Sequence, residues 1–144
     1  MSDDAYRQPD LALLGEEHVR RYQETDGEEG CIWNGVPTLL LTTTGRKSGQ
    51  PRTTPLIFER DGADYLVVAS MGGAPQHPNW YRNLVAQPAA RIQVRAEHVD
   101  VTARTANEDE KPRLWGIVTD QWPNYDVYQS RTDRVIPVVV LSPR

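Results

Sequence analysis

Asp61-Gly62 stands between two apolar runs, Leu56-Ile57-Phe58 and Tyr65-Leu66-Val67-Val68-Ala69. An acidic residue followed by glycine between such runs is the strongest local hairpin signal in the chain. A hairpin pairs its strands antiparallel and so commits this stretch to an antiparallel sheet. The flanks extend it. Residues 36–44 are apolar and β-branched and predict a strand. Residues 45–51, with Gly45 and Gly49 at the shoulders, predict a turn, and residues 52–60 resume as a strand. The segment 70–75 (Ser-Met-Gly-Gly-Ala-Pro) ends the run.

Residues 78–87 predict a helix, with Pro78 at its first position, Trp80 and Leu84 on one face, and Pro88 as the stop. Arg91 to Val94 and Val99 to Ala103 alternate with period two and predict half-buried strands; Arg91, Gln93 and Arg95 take the polar side. Asn107 or Asp109 caps a following helix, and Pro112 favours Asp109. Trp122-Pro123 breaks that helix before a shorter one carrying Tyr125 and Tyr128. Arg134 to Leu141 predicts a last buried strand, in which Pro137 implies a bulge or an edge. About six strands in a chain of 144 residues close most economically as a small barrel with helices over its ends. The expected fold class is mainly β with flanking helices (α+β).

Charge divides the chain into residues 1–33, an acidic N-terminal helix and linker, and 34–144, the barrel domain. Residues 1–30 carry nine acidic and three basic residues, whereas the remainder is mildly basic. Leu11, Leu14, His18 and Tyr22 share a stripe of the leader, which otherwise predicts a solvated helix and a loose Asp26-Gly-Glu-Glu-Gly30 linker. Its acidity disfavours an anionic-membrane anchor, and peripheral membrane contact is left open. The net charge of −4 argues against nucleic acid as a partner. Apolar runs are short, so no transmembrane segment or secretory signal is expected. Cys31, the one cysteine, allows no internal disulfide, and the expected location is a reducing cytoplasm.

The three histidines lack ligand spacing, and no metal site is expected. Nucleophile elbows, phosphate loops and Rossmann glycine patterns are missing. What remains is Thr42 to Pro55, which concentrates Arg46, Lys47 and Arg52 among hydroxyls. Such a turn suits an oxyanion cradle, or serves merely as a polar hairpin tip that resists edge pairing. Asn79 to Asn83 interleaves aromatics and amides that suit a flat heterocycle, although Trp80 and Leu84 read first as core packing. Trp122, Tyr125 and Tyr128 form a third cluster, a substrate wall or a barrel plug.

These segments, with Val68-Ala-Ser70, Gly72-Gly73, His77 to Leu84 and Tyr125 to Pro137, resemble the deazaflavin-dependent nitroreductase family of actinobacteria. The resemblance covers about residues 34–142. It implies a split β-barrel related to FMN-binding reductases. It also implies an oxidoreductase passing a hydride from reduced coenzyme F420 to a small-molecule electron acceptor such as a quinone or nitroaromatic compound. By position, the coenzyme's phosphate and acidic tail would meet Arg46, Lys47 and Ser48. Arg52, Thr53, Thr54, Pro55, Leu56 and Ile57 would line it. Val68, Ala69, Ser70 and Met71, with Asn79, Trp80, Tyr81, Arg82 and Asn83, would wall the phosphate and ring. Trp122, Tyr125 and Tyr128 would meet the substrate, with Tyr125 at the ring as well; Ser70, Tyr125 or Tyr128 would serve the protonation. Some relatives carry tyrosine at the positions of Ile57 and Trp122. An FMN-dependent oxidoreductase and a non-enzymatic deazaflavin-binding protein are the alternatives. Open faces on a barrel of this size often pair, which makes a homodimer a further expectation.

Overall fold

The computed structural model describes residues 15–144, so Leu11 and Leu14 lie outside the described residues. Helix α1 (Glu16–Glu24) precedes strands β1 (Ile32–Trp33), β2 (Val36–Thr44), β3 (Pro51–Ile57), β4 (Glu59–Asp61) and β5 (Asp64–Val68). A 3-10 turn (Met71–Gly73) and α2 (Asn79–Ala86) lead to β6 (Ala89–Val94) and β7 (Glu97–Thr105). Helices α3 (Lys111–Gln121) and α4 (Asn124–Ser130) then precede β8 (Val138–Pro143). The strands form one sheet in the order β1-β2-β6-β7-β8-β5-β4, with β3 on the free side of β2. Every pairing is antiparallel.

The strand expected over 52–60 is two strands. β3 pairs with β2 as far as Ile57↔Thr38; after Phe58 the chain changes partner and β4 pairs with β5. One continuous stretch therefore occupies both margins of the curled sheet, and the barrel stays split between β3 and β5. The hairpin turn falls one residue later than expected. Asp61 pairs with Asp64, leaving Gly62 and Ala63 in the turn, and Gly62 supplies the left-handed backbone (φ 61°).

Other boundaries differ as well. The last strand begins at Val138: Pro137 has no N–H to give to the ladder, although its carbonyl still accepts Ala69 N–H, and Arg134 turns its side chain to the loop after β5. Pro78 precedes the first residue of α2 as its cap. Asn107, not Asp109, caps the turn into α3: Asn107 Oδ1 accepts Glu110 N–H at 2.9 Å, and Glu110 Oε2 accepts Asn107 N–H at 2.9 Å. This reciprocal pair satisfies two otherwise orphaned donors.

The core has two main parts. Leu39, Leu41, Val67, Ile92, Val101 and Leu141 pack inside the sheet beneath α2, and Leu66, Leu114, Val118, Trp122 and Ile136 pack beneath α3 and α4. Each fully buried Leu or Ile contributes roughly 1.5–3 kcal/mol. The acidic helix α1 is not merely solvated. His18 and Tyr22 are buried, and Tyr22 packs with Cys31 and Leu40. The Tyr22 hydroxyl accepts Arg95 N–H at 2.8 Å and lies within hydrogen-bonding reach of the Thr38 and Gln93 carbonyls. Gln93 is buried for that reason, although its place in the alternation suggested solvent. The stretch after α1 is a compact run of turns rather than a loose tether, with Gly27 N–H on Tyr22 O and Cys31 N–H on Gly27 O.

Candidate active site

The β2–β3 turn is closed by Gly45 N–H to Gln50 O and Gly49 N–H to Gly45 O, each 2.8 Å. Gly45 leaves room for this closure: a side chain there would meet Ser48 Oγ at 2.7 Å, which can rotate away, and would crowd Gln50 O at 3.1 Å. The closed tip leaves Arg46, Lys47 and Ser48 exposed. Arg46 is held against α2: its backbone N–H and its Nη1 donate to Asn83 Oδ1 at 3.2 and 2.9 Å, and Nη2 donates to Asn79 Oδ1 at 3.3 Å. Asn83 Nδ2 in turn donates to Thr43 Oγ1 at 3.1 Å. None of Arg46, Lys47 and Arg52 pairs with a carboxylate among the described residues. The turn, β3 and α2 enclose a cavity of about 390 Å³ that is cationic on one side and roofed by Trp80.

A second cavity, about 540 Å³, opens along the barrel split. Thr54 and Trp80 line both cavities, so the two are contiguous. Pro55, Leu56 and Ile57 of β3 form one wall of the larger cavity, and Val68, Ser70 and Met71 form the opposite wall. Trp122, Tyr125 and Tyr128 close its end. The Tyr125 and Tyr128 rings meet edge to face at 6.2 Å, and Trp33 packs on Trp122 at 5.7 Å. Burial raises the Tyr125 hydroxyl above the ordinary phenol range, so it stays protonated.

The structure thus brings the cationic turn, β3, Val68 to Met71, Trp80 and the aromatic trio to one continuous groove. Three residues implied by resemblance stand apart. Ala69 is fully buried and gives its N–H to Pro137 O. Tyr81 turns towards β7, where its hydroxyl meets Thr105 Oγ1 at 2.8 Å. Arg82 is exposed and lines neither cavity.

Sequence reasoning missed His18, Trp33 and Thr38, which also line the larger cavity. His18 Nε2 is 2.7 Å from Gly30 O, while His18 Nδ1 and Trp33 Nε1 are buried without a partner among the described residues. The apolar spacing of His18 and Tyr22 was the available signal, but it gave no hint of which surface they meet. Arg134 was missed too. Its guanidinium donates to the carbonyls of Ala74 (2.8 Å), Ala69 (3.1 Å) and Ser70 (2.8 Å), and Nη1 lies 3.1 Å from His77 Nδ1. Burial, then the nearby Arg134 and Arg82 charges, lowers the His77 pKa and keeps its ring neutral as an acceptor.

A split barrel with a cationic groove running into an aromatic cavity suits the class of oxidoreductases that hold an anionic redox coenzyme. Residues 14–143 match the model of the F420H(2)-dependent quinone reductase family, and the chain belongs to that family. It is 48% identical over 131 residues to the F420H(2)-dependent quinone reductase Rv1261c of Mycobacterium tuberculosis, covering 88% of each chain. A solved F420-H2 dependent reductase, FDR-A, shares 40% identity and a TM-score of 0.69 over 74% of this chain and 94% of that one. Another solved relative, a domain-swapped dimer, shares 37% identity and a TM-score of 0.71 over 88% of this chain and 95% of that one. The protein is accordingly an F420H2-dependent reductase.

Proposed function

We propose that this reductase acts on quinones, with nitroaromatic compounds as further electron-poor acceptors. The observation that carries the reading is the junction at Thr54 and Trp80 between a cationic groove and a larger, mainly apolar cavity. Lys47, Arg46, Ser48 and Arg52 suit the phosphodiester and glutamate tail of the coenzyme, each charge-assisted bond contributing about 1.5–3 kcal/mol when partly desolvated. Thr53, Thr54 and Trp80 suit the passage from tail to ring. The larger cavity suits two flat rings, with Ile57, Trp122, Tyr125 and Tyr128 shaping the acceptor's share.

The coenzyme, when bound, supplies a two-electron hydride donor. The chain's own task is placement and exclusion of water: β3 and the loop after β5 hold two opposed walls, and the aromatic end meets the acceptor. The Tyr125 hydroxyl, held protonated by burial, is suited to donate a hydrogen bond to an acceptor oxygen as charge develops there. No nucleophile or metal is needed for this chemistry.

A fluorescence titration of coenzyme F420 against FMN and NADPH tests the reading. Coenzyme F420 binds most tightly, and Lys47→Glu weakens it by roughly 2 kcal/mol or more, about 30-fold. Equal affinity in Lys47→Glu would remove the tail assignment. Preference for FMN would favour the flavin alternative, and tight coenzyme binding without quinone reduction would favour a carrier.

A further inference from the structure

Arg134 lies between α4 and β8, yet its side chain serves another part of the chain. Nε donates to Ala74 O, Nη2 to Ser70 O, and Nη1 faces both Ala69 O and His77 Nδ1, the last two at 3.1 Å. One guanidinium thus ties four points of the stretch 69–77, which runs from the end of β5 to the entry of α2. That stretch needs holding. Met71 has a left-handed backbone (φ 45°), which is uncommon for a residue with a side chain and persists only where the surroundings fix it. Helix α4 supports one side, pressing so close to Gly73 that a side chain there would meet Tyr128 O at 2.5 Å. Arg134 supports the other. The two ends of the stretch carry walls of both cavities: Val68, Ser70 and Met71 at one end, Pro78, Asn79 and Trp80 at the other.

The four acceptors are not alike. The three backbone carbonyls accept at every pH. An imidazole nitrogen accepts only while it carries no proton, so the bond to Arg134 requires neutral His77 with its proton on Nε2. The surroundings of His77 hold cations and a neutral ring: Arg134 from the segment before β8, Arg82 from α2, and the Tyr81 ring of α2 at 4.9 Å. No carboxylate pairs with His77, Arg82 or Arg134 among the described residues, and Asp133, beside Arg134, is exposed. An imidazolium there would lose its bond and face a guanidinium with no counter-charge between them. Burial and the Arg134 and Arg82 charges accordingly lower the His77 pKa.

We infer that Arg134 and His77 are positioning residues that form a proton-sensitive tie: neutral His77 completes the grip of Arg134 on residues 69–77, and a proton on His77 releases the entry of α2, which carries Trp80. Neither side chain is assigned a bond to coenzyme or acceptor. The inference rests on the reading of the cationic groove as the coenzyme's seat, and holds whichever acceptor is reduced. Its sign follows from the geometry. The folded His77 titrates below its ordinary 6.5, so the tie is intact above pH 6.5 and is lost as pH falls through the lower, folded value. Acid therefore loosens the roof of the groove.

Two measurements test it. The first is an NMR titration of the coenzyme-free protein from about pH 8 to about pH 5, following the His77 imidazole and the Trp80 indole N–H. His77 titrates below 6.5, and the Trp80 signal shifts with the same midpoint. In His77→Asn, whose side-chain oxygen accepts from Arg134 at every pH, that shift disappears. A Trp80 signal that ignores His77 in the wild-type protein, or that shifts equally in His77→Asn, overturns the inference.

The second is a fluorescence titration with coenzyme F420 at about pH 7.5 and about pH 5.5. Acid weakens binding to the wild-type protein at least about threefold more than to His77→Asn, a comparison in which the coenzyme's own ionisation cancels. Arg134→Lys, which keeps a charge but not the fork of donors, binds several-fold more weakly at the higher pH and loses much of the pH dependence. Equal pH dependence in wild type and His77→Asn overturns the inference, even if both variants melt at lower temperature, because a merely structural bond would do that. Acid that strengthens wild-type binding relative to His77→Asn overturns it as well, since the His77 proton would then attract the anionic coenzyme. The NMR titration needs no coenzyme, so the tie can fail while the Lys47→Glu result stands, and the reverse.

Discussion

Arg46 Nη1 donates to Asn83 Oδ1 at 2.9 Å across 37 positions of sequence, tying the cationic turn to helix α2. The same amide donates to Thr43 Oγ1 on β2. Asn83 thus fixes the distance between the groove's charged tip and its aromatic roof, Trp80, which sits one turn earlier on α2.

Asn83→Ala leaves Arg46 and Thr43 without their shared partner at a buried position. The expected loss is about 1–3 kcal/mol of stability, read by urea denaturation. Coenzyme affinity falls several-fold in the same variant, because the tip is no longer held against α2. A variant with wild-type affinity would show that the turn is positioned by its own backbone bonds alone.

Tyr125→Phe removes the hydroxyl and keeps the ring that packs on Tyr128 and Trp115. Quinone turnover is expected to fall at least about tenfold, near 1.4 kcal/mol in the barrier, with little change in melting temperature. Steady-state kinetics decide it. Full activity would assign the hydrogen bond to Ser70 or to water instead.

Glu110 carries a pH prediction. Hydrogen bonds from Arg104 and from the Asn107 amide hold its carboxyl down to about 2, against an ordinary 4.5. The folded value lies below the unfolded one, so the stabilisation is complete above pH 4.5 and is lost as pH falls towards 2. Glu110→Gln removes that dependence. Thermal melts of both proteins across the window should differ in slope; equal slopes would dismiss the interaction as a source of acid sensitivity.

The hairpin at Asp61-Gly62, the alternation around Ile92 and Val101, and the helix at Asn79 to Ala86 were legible because each is a local pattern. The cationic turn was legible for the same reason: Arg46, Lys47 and Arg52 lie within seven positions, and a turn keeps neighbours together. The switch at Phe58 was not legible. Nothing in residues 52–60 says that the first part pairs with β2 and the last with β5, since a change of partner depends on how the whole sheet curls. Gln93 was placed wrongly in outline for a related cause. Its alternation is that of a strand with one wet face, and only the docking of Tyr22 makes that face dry.

Residue order alone determined a mainly antiparallel barrel, a basic turn able to hold an anion, and the family resemblance, because propensity, alternation and motif spacing are properties of near neighbours. The tertiary structure decided that the barrel stays split between β3 and β5, that α1 adds His18 to the cavity, and that Arg134 reaches back 64 positions to hold Ser70. These depend on contacts between segments far apart in sequence, whose energies exist only once the chain has closed on itself.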